Sequence, residues 1–229
     1  MKAKFSQDEL KALHGSEYAF RFEEQQDHRR VEGLLNCITL QPMDNIIDFG
    51  CGSGIIMPLV AHKVNSYTGI DFSKPFIKIA SEKAQRLAIS NAIFTCEDII
   101  DFSRTHEQRF DCALALDISE HVYDQEWITI LTAIRSTLVE HGTLYVHTPN
   151  LTFFVEQLKD KNFLLKQFPE HIAVRTAEHN VHLLRKAGFS KIEFTYIAHY
   201  NVLKYFKLLT YLPLVGKYFN ARILIKATK

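Results

Sequence analysis

Asp48, three glycines at every second position after it, and a later pair of acids beside a histidine are the residues with the types and spacing for chemistry. The first group is Asp48-Phe49-Gly50-Cys51-Gly52-Ser53-Gly54. Alternating glycines leave room for a ligand lying against the backbone. Asp48 adds a carboxylate beside that path, so the stretch suits a ligand with both a positive and a negative end. Asp71 closes the next apolar stretch, where an acid can bond the hydroxyl pair of a ribose. The second group is Asp117-Ile118-Ser119-Glu120-His121-Val122. Two acids and a histidine so close can hold a hard cation or supply a general base; His121 can also simply pack. Cys37, Cys51, Cys96 and Cys112 are far apart and form no C-x-x-C pair, which argues against a zinc site and for reduced thiols.

Positioning these groups takes strands and helices in alternation. Ile46, Ile47 and Phe49 read as a strand covered on both faces, running into the glycine turn and a helix from Ile55 to about His62. A dinucleotide fingerprint would need G-x-G-x-x-G, but the position for its last glycine is Ile55 or Met57, depending on register. Further strands are expected at Ser66–Asp71, Asn91–Thr95, Phe110–Leu116, Thr143–Thr148, Lys191–Ala198 and Ala221–Thr228. Between them lie a helix capped by Ser73 and running to about Leu87, one from about Gln125 to Val139, and one from Thr176 to Ala187 ended by Gly188. His141-Gly142 is expected to turn, and Leu151 to Val174 to be irregular. Helices are also expected from Phe5 to about Ile38, the first capped by Ser6 with Glu9, the second burying Val31, Leu34, Leu35 and Ile38. Such alternation means right-handed crossovers and a mostly parallel sheet, with ligands beyond the carboxyl ends of the strands.

The 229 residues, 47% apolar and 23% charged with a net charge of +1, suit one globular unit and not a protein built to hold a polyanion. The opening residues have no apolar core, and no apolar run reaches the roughly 18 residues of a membrane span; a cytoplasmic location is expected. With no repeat or low-complexity segment, 1–229 reads as a single domain: a helical cap over 1–40, a cofactor-binding core over 44–150, and a lid with the last strands over 151–229.

Taken in order, the glycine stretch, Gly69-Ile70-Asp71, Asp98, the strand Phe110–Leu116 and Gly142–Asn150 resemble class I S-adenosylmethionine-dependent methyltransferases, over about Asn45 to Gly188. The resemblance implies a seven-stranded, mostly parallel Rossmann-like sheet with helices on both faces, under a lid built from the N-terminal helices and an insertion. It implies S-adenosylmethionine as cofactor, with Asp48, Gly50 and Gly52 around its methionine part and Cys51 and Gly54 in the same loop. It also implies that Asp71 takes the ribose hydroxyls, Phe72 lies beside the adenine, Asp98 and the Ile99 backbone bond the adenine, and Leu116 flanks the methionine part. Arg30 is matched to an arginine that meets the cofactor carboxylate. Asp117 to Val122 is similar to the E-x-x-E-H-V stretch of the ubiquinone-biosynthesis O-methyltransferases, with Asp for the first Glu, and Thr148-Pro149-Asn150 matches the same branch. Some members hold magnesium on these acids and the histidine. With Asp117 shortened, magnesium stays open, no metal ligand is assigned, and Glu120 and His121 stand as catalytic candidates.

For the acceptor, Tyr18, Phe20 and Phe22 suit a pocket wall or ordinary core. Tyr200 to Phe219 is apolar and aromatic, with Lys204, Lys207 and Lys217 its only charges and Pro213 cutting it. It is either a helix closing an apolar pocket or an interfacial helix making peripheral membrane contact through 200–219. The expectation is methyl transfer to a small, partly apolar acceptor, at oxygen ahead of nitrogen or carbon, and not to nucleic acid. A nicotinamide-dependent oxidoreductase, which lacks its third glycine here, and a non-catalytic cofactor-binding protein are the readings from other classes.

Overall fold

A computed structural model describes residues 28–168, 171–199 and 202–229. The helix Phe5 onward, its Ser6 and Glu9 cap and the aromatic Tyr18, Phe20 and Phe22 lie outside them. Seven strands form one sheet: β1 (Asn45–Phe49), β2 (Ser66–Asp71), β3 (Ala92–Cys96), β4 (Phe110–Leu116), β5 (Leu138–Pro149), β6 (Ser190–Ile197) and β7 (Arg222–Thr228). Their spatial order is β3-β2-β1-β4-β5-β7-β6, with β7 antiparallel to both neighbours and every other pairing parallel. The described helices are α1 (His28–Leu35), α2 (Met57–Val60), α3 (Lys74–Arg86), α4 (Ile99–Thr105), α5 (Asp124–Thr137), α6 (Phe154–Asp160) and α7 (Ala177–Lys186).

Because strand side chains alternate in direction, β1 feeds two cores. Ile47 and Phe49 pack with Trp127, Leu131 and Ile134 of α5 and Leu183 and Leu184 of α7. Ile46 packs with Val31 and Leu34 of α1, Met57 and Val60 of α2, and Ala84 of α3. Ile46, Ile47 and Phe49 have no exposed surface, and each such burial contributes about 1.5–3 kcal/mol. These two layers hold the parallel strands level, so the carboxyl ends of β1, β2, β3, β4 and β5 share one edge.

Differences from the expected elements have local causes. The helix expected from Ile55 is only α2, continued by a 3-10 turn at Ala61–Lys63, because Gly50, Gly52 and Gly54 all take positive φ and prolong the loop. Residues 151–174 contain α6. β5 starts directly at Leu138 and absorbs His141-Gly142 as an irregularity, His141 at φ +66° and the register against β4 shifting there. The segment after β6 forms 3-10 helices at Val202–Tyr211 and Gly216–Phe219, on either side of Pro213. No described helix is long and apolar enough to cross a membrane.

Candidate active site

The glycine loop after β1 is held from three sides. Gly50, Gly52 and Gly54 have φ of +64°, +53° and +67°, the left-handed region that side chains resist. A Cβ on Gly50 would meet Ile118 Cδ1 at 2.9 Å, and one on Gly54 would meet Ala80 at 3.2 Å. At Gly52 a Cβ would meet nothing within 4 Å. Of the three loop glycines only Gly52 faces open space, a cradle that a cofactor lying on the backbone would fill. From α3, the buried Lys83 donates to the Ser53 carbonyl at 2.9 Å.

The acids at the strand ends are engaged. Asp48 is buried, and its Oδ2 accepts the Tyr67 hydroxyl at 2.6 Å. Burial pushes its carboxyl up to about 7; the Tyr67 hydrogen bond opposes this and the Asp71 charge adds to it. Asp71 Oδ2 accepts the Gly52 N–H at 3.1 Å and Oδ1 accepts the Ser73 N–H at 2.8 Å. The acid expected to reach the cofactor therefore also fastens the cradle. Ser73 stands at the N-cap of α3 without a capping bond from its own side chain. The Cys51 thiol is pushed up by burial. Phe72 is 42% exposed beside Asp71. Asp98 caps α4 through Ile100 N–H at 2.9 Å, and the neighbouring Glu97 N–H donates to the Asp71 carbonyl, which brings the β3 end and Ile99 to the same edge. Leu116, half-buried, ends β4 opposite His147. Arg30 lies in α1, with its side chain outside the described residues.

After β4, Asp117 pairs with side chains of β5 and β7. At φ +56°, its Oδ1 accepts Arg222 Nη2 of β7 and lies 3.0 Å from His147 Nδ1. Arg222 Nε donates to His147 Nε2 at 3.1 Å, which assigns the imidazole proton to Nδ1, facing Asp117. Glu120 and His121 ride on a 3-10 turn, Ser119–His121. Glu120 is fully buried, accepts Thr148 Oγ1 at 3.1 Å, and is pushed to about 8 by burial and then by the Asp117 charge. Thr148 in turn accepts from Ser119 Oγ at 2.8 Å. Arg175, 2% exposed, fastens the turn by donating to the carbonyls of Ser119, Val122 and Ala173 and to Asp124 Oδ1. The turn's Glu120 carbonyl accepts the Ala173 N–H. These bonds bring His171 against His121, edge to face with ring centroids 5.0 Å apart. Burial, followed by the His121 charge, holds His171 down at about 3.

Glu120, His121 and His171 offer ligand atoms within 4.8 Å of one another. This is not the two-acid set of a magnesium site, because Asp117 is committed to Arg222 and His147; no step is assigned to magnesium. His171, Arg175, Lys83, Tyr67 and Arg222 escape the sequence reading because each acts across a long stretch of chain. Only Arg175, directly after the apolar Ile172-Ala173-Val174, gives a hint of its role.

A methyltransferase-domain family model matches residues 40–201. The chain belongs to this family. Similar curated proteins include the ubiquinone biosynthesis O-methyltransferase of Actinobacillus pleuropneumoniae serotype 5b (strain L20), 27% identical over 130 residues that make up 55% of each chain. This methyltransferase domain thus spans about half the length of the curated relatives it matches. Among solved structures, an S-adenosylmethionine-dependent methyltransferase from Archaeoglobus fulgidus superposes with a TM-score of 0.66 at 16% identity, covering 93% of this chain and 99% of that one. Magnesium protoporphyrin IX methyltransferase from Synechocystis PCC 6803, bearing S-adenosylhomocysteine, gives 0.64 at 18% identity over 100% and 90%. Both carry the same fold.

Proposed function

We propose that this methyltransferase domain moves the methyl group of S-adenosylmethionine to an oxygen of a small, partly apolar acceptor. The observation carrying this is the contact at Gly50 and Ile118: a Cβ there would be 2.9 Å from Ile118. The cofactor cradle and the turn bearing Glu120 and His121 therefore abut. S-adenosylmethionine supplies a methyl on a positively charged sulfur. The acceptor oxygen bonds the methyl carbon, the carbon–sulfur bond breaks toward sulfur, and the acceptor proton must leave. In this reading His121 takes that proton, with Glu120 beside it and Arg175 orienting their turn. Asp71 and Phe72 hold the nucleoside, Asp98 and Ile99 its base, and Asp48, Cys51 and Leu116 the methionine end; the open cradle at Gly52 supports this. The name of the O-methyltransferase relatives favours oxygen as the acceptor atom.

Two neighbouring segments support an apolar acceptor. Phe206 and Phe219 pack on Phe154 of α6, which closes apolar surface over this end of the sheet. The same segment leaves Tyr205, Leu208, Tyr211 and Leu214 at 65%, 73%, 83% and 94% exposed, with lysines its only charges. Such a face suits shallow contact with an anionic membrane, from which an apolar acceptor would be drawn. Release of S-adenosylhomocysteine with phenolic, prenylated acceptors is the expected result, about 10²-fold slower in His121→Ala. Methylation confined to RNA or protein would refute the acceptor class. Flotation with phosphatidylglycerol vesicles, lost in Leu208→Asp, is expected for the membrane contact; a chain left wholly in solution would refute it.

A further inference from the structure

We propose that Arg222 selects the acceptor, its Nη1 edge holding a carboxylate that the acceptor carries apart from the oxygen to be methylated. Arg222 is the first residue of β7 and pairs with Pro149, the last of β5, so it stands at the edge of the sheet that bears the site. Its Nη2 donates to Asp117 Oδ1, and its Nε donates to His147 Nε2 at 3.1 Å. Both N–H groups of Nη1 are left without a partner among the described residues, and the side chain keeps 13% of its surface open. A guanidinium carries five donors in one rigid plane, and two partners already fix the orientation of this one. The end of the fork, Nη1 with the second N–H of Nη2, matches the two oxygens of a carboxylate.

The surroundings favour one further negative charge. Arg222 lies close enough to the acidic turn for its charge to act on both Glu120 and His171. Burial and then the Asp117 charge lift the Glu120 carboxyl to about 8, so at neutral pH it holds its proton and repels no anion. At His171 the charges of Lys159 and Arg222, with that of His121 once protonated, act against Asp117 alone. The field there is positive on balance. Asp117 already supplies one anion to this half-buried arginine, and a singly charged carboxylate is therefore easier to accommodate than a phosphate dianion. An acceptor anchored at Arg222 is fixed at one end, which orients the other toward the methyl group. That purpose rests on the function proposed above; the carboxylate site itself does not.

The probes are 3-octyl-4-hydroxybenzoate and the matching benzamide, titrated by calorimetry into the full chain saturated with S-adenosylhomocysteine. The benzoate should bind at least about 10-fold tighter, as one charge-assisted hydrogen bond provides. Arg222→Gln should bring the two within about 2-fold by weakening the benzoate alone, since the amide makes no use of the charge. Asp117→Asn, which releases the guanidinium from its anion, should tighten the benzoate by about 3-fold or more and leave the benzamide unchanged. An arginine that served only to pin Asp117 would give no such gain. S-adenosylhomocysteine affinity, measured on each protein, reports folding and the cofactor site separately. Where Arg222→Gln fails that check, Arg222→Gln combined with Asp117→Asn removes both charges and takes its place, with the same loss of preference expected. Equal affinities for the two probes, or no binding of either, in a wild-type chain that holds S-adenosylhomocysteine overturns the carboxylate site. Release of S-adenosylhomocysteine with uncharged phenols would then leave the methyltransferase reading standing. A preference that survives Arg222→Gln, or a benzoate bound no tighter by Asp117→Asn, would also overturn it.

Discussion

Asp48→Asn should make the ligand-free protein more stable at pH 8 and leave it unchanged near pH 4. The wild-type carboxyl is fully buried and pushed from 3.8 to about 7. Below about pH 4 the folded and unfolded chains both hold the proton. Between pH 4 and 7 the unfolded chain gives it up while the folded chain keeps it, so stability falls as pH rises through that window. Above pH 7 the folded state carries the whole penalty. A shift of roughly 3 units at about 1.4 kcal/mol per unit is roughly 4 kcal/mol, and relaxation around the site would bring it nearer 2. Asparagine removes the charge but keeps an oxygen for the Tyr67 hydroxyl. Its surplus NH2 group offsets part of the gain. Urea unfolding of both proteins across pH 4–8 measures the difference, and taking the difference cancels the similar contribution of Glu120. A stability gap that stays constant with pH, or widens toward acid, would refute the reasoning. The same substitution should weaken S-adenosylmethionine, since the carboxylate is proposed to serve its charged end.

Asp71→Ala should reduce S-adenosylhomocysteine affinity in calorimetry by about 1.5–3 kcal/mol per charged hydrogen bond lost, and it also releases the Gly52 N–H. Gly69→Ala would place a Cβ 2.7 Å from Phe94 and 2.9 Å from Cys51 Sγ; a cost of about 1–3 kcal/mol is expected, largely recovered in thermal melts by adding Phe94→Leu. Arg175→Ala should lower stability by about 1–3 kcal/mol for each buried carbonyl left without its donor, while the ion pair with the half-exposed Asp124 adds little. Lysine should not restore it, lacking the planar fork that reaches three carbonyls and Asp124 at once; denaturant titration of both variants tests this.

Strand positions were the most legible part of the fold. Ser66–Asp71 and Phe110–Leu116 agree with β2 and β4 residue for residue, because β-branched, small and apolar residues in unbroken runs leave few alternatives. Gly188, at φ +91° after α7, stops its helix as glycine at that position does. Local pattern failed at α6: Phe153, buried, and the partly buried Phe154 are placed by aromatic contacts that include Phe206 and Phe219, far along the chain. Within the site, the glycine cradle and the acids at strand ends were visible from spacing. The fate of Asp117 was not, since Arg222 reaches it from 105 residues away. Nor could His171 be seen as a neighbour of His121, because a buried arginine and not a motif brings them together.

The order β5-β7-β6 also dictates a sequence of events in time. β6 leaves the ribosome before β7 but bonds the sheet only through it. Until β7 arrives, β5 presents an unpaired edge and β6 has nowhere to dock, and such edges invite pairing with the wrong strand or another chain. Arg222 begins that late strand and is the residue that pairs with Asp117. A nascent chain therefore holds a complete glycine cradle while the acidic turn is still unset, so cofactor binding should be acquired before methyl transfer.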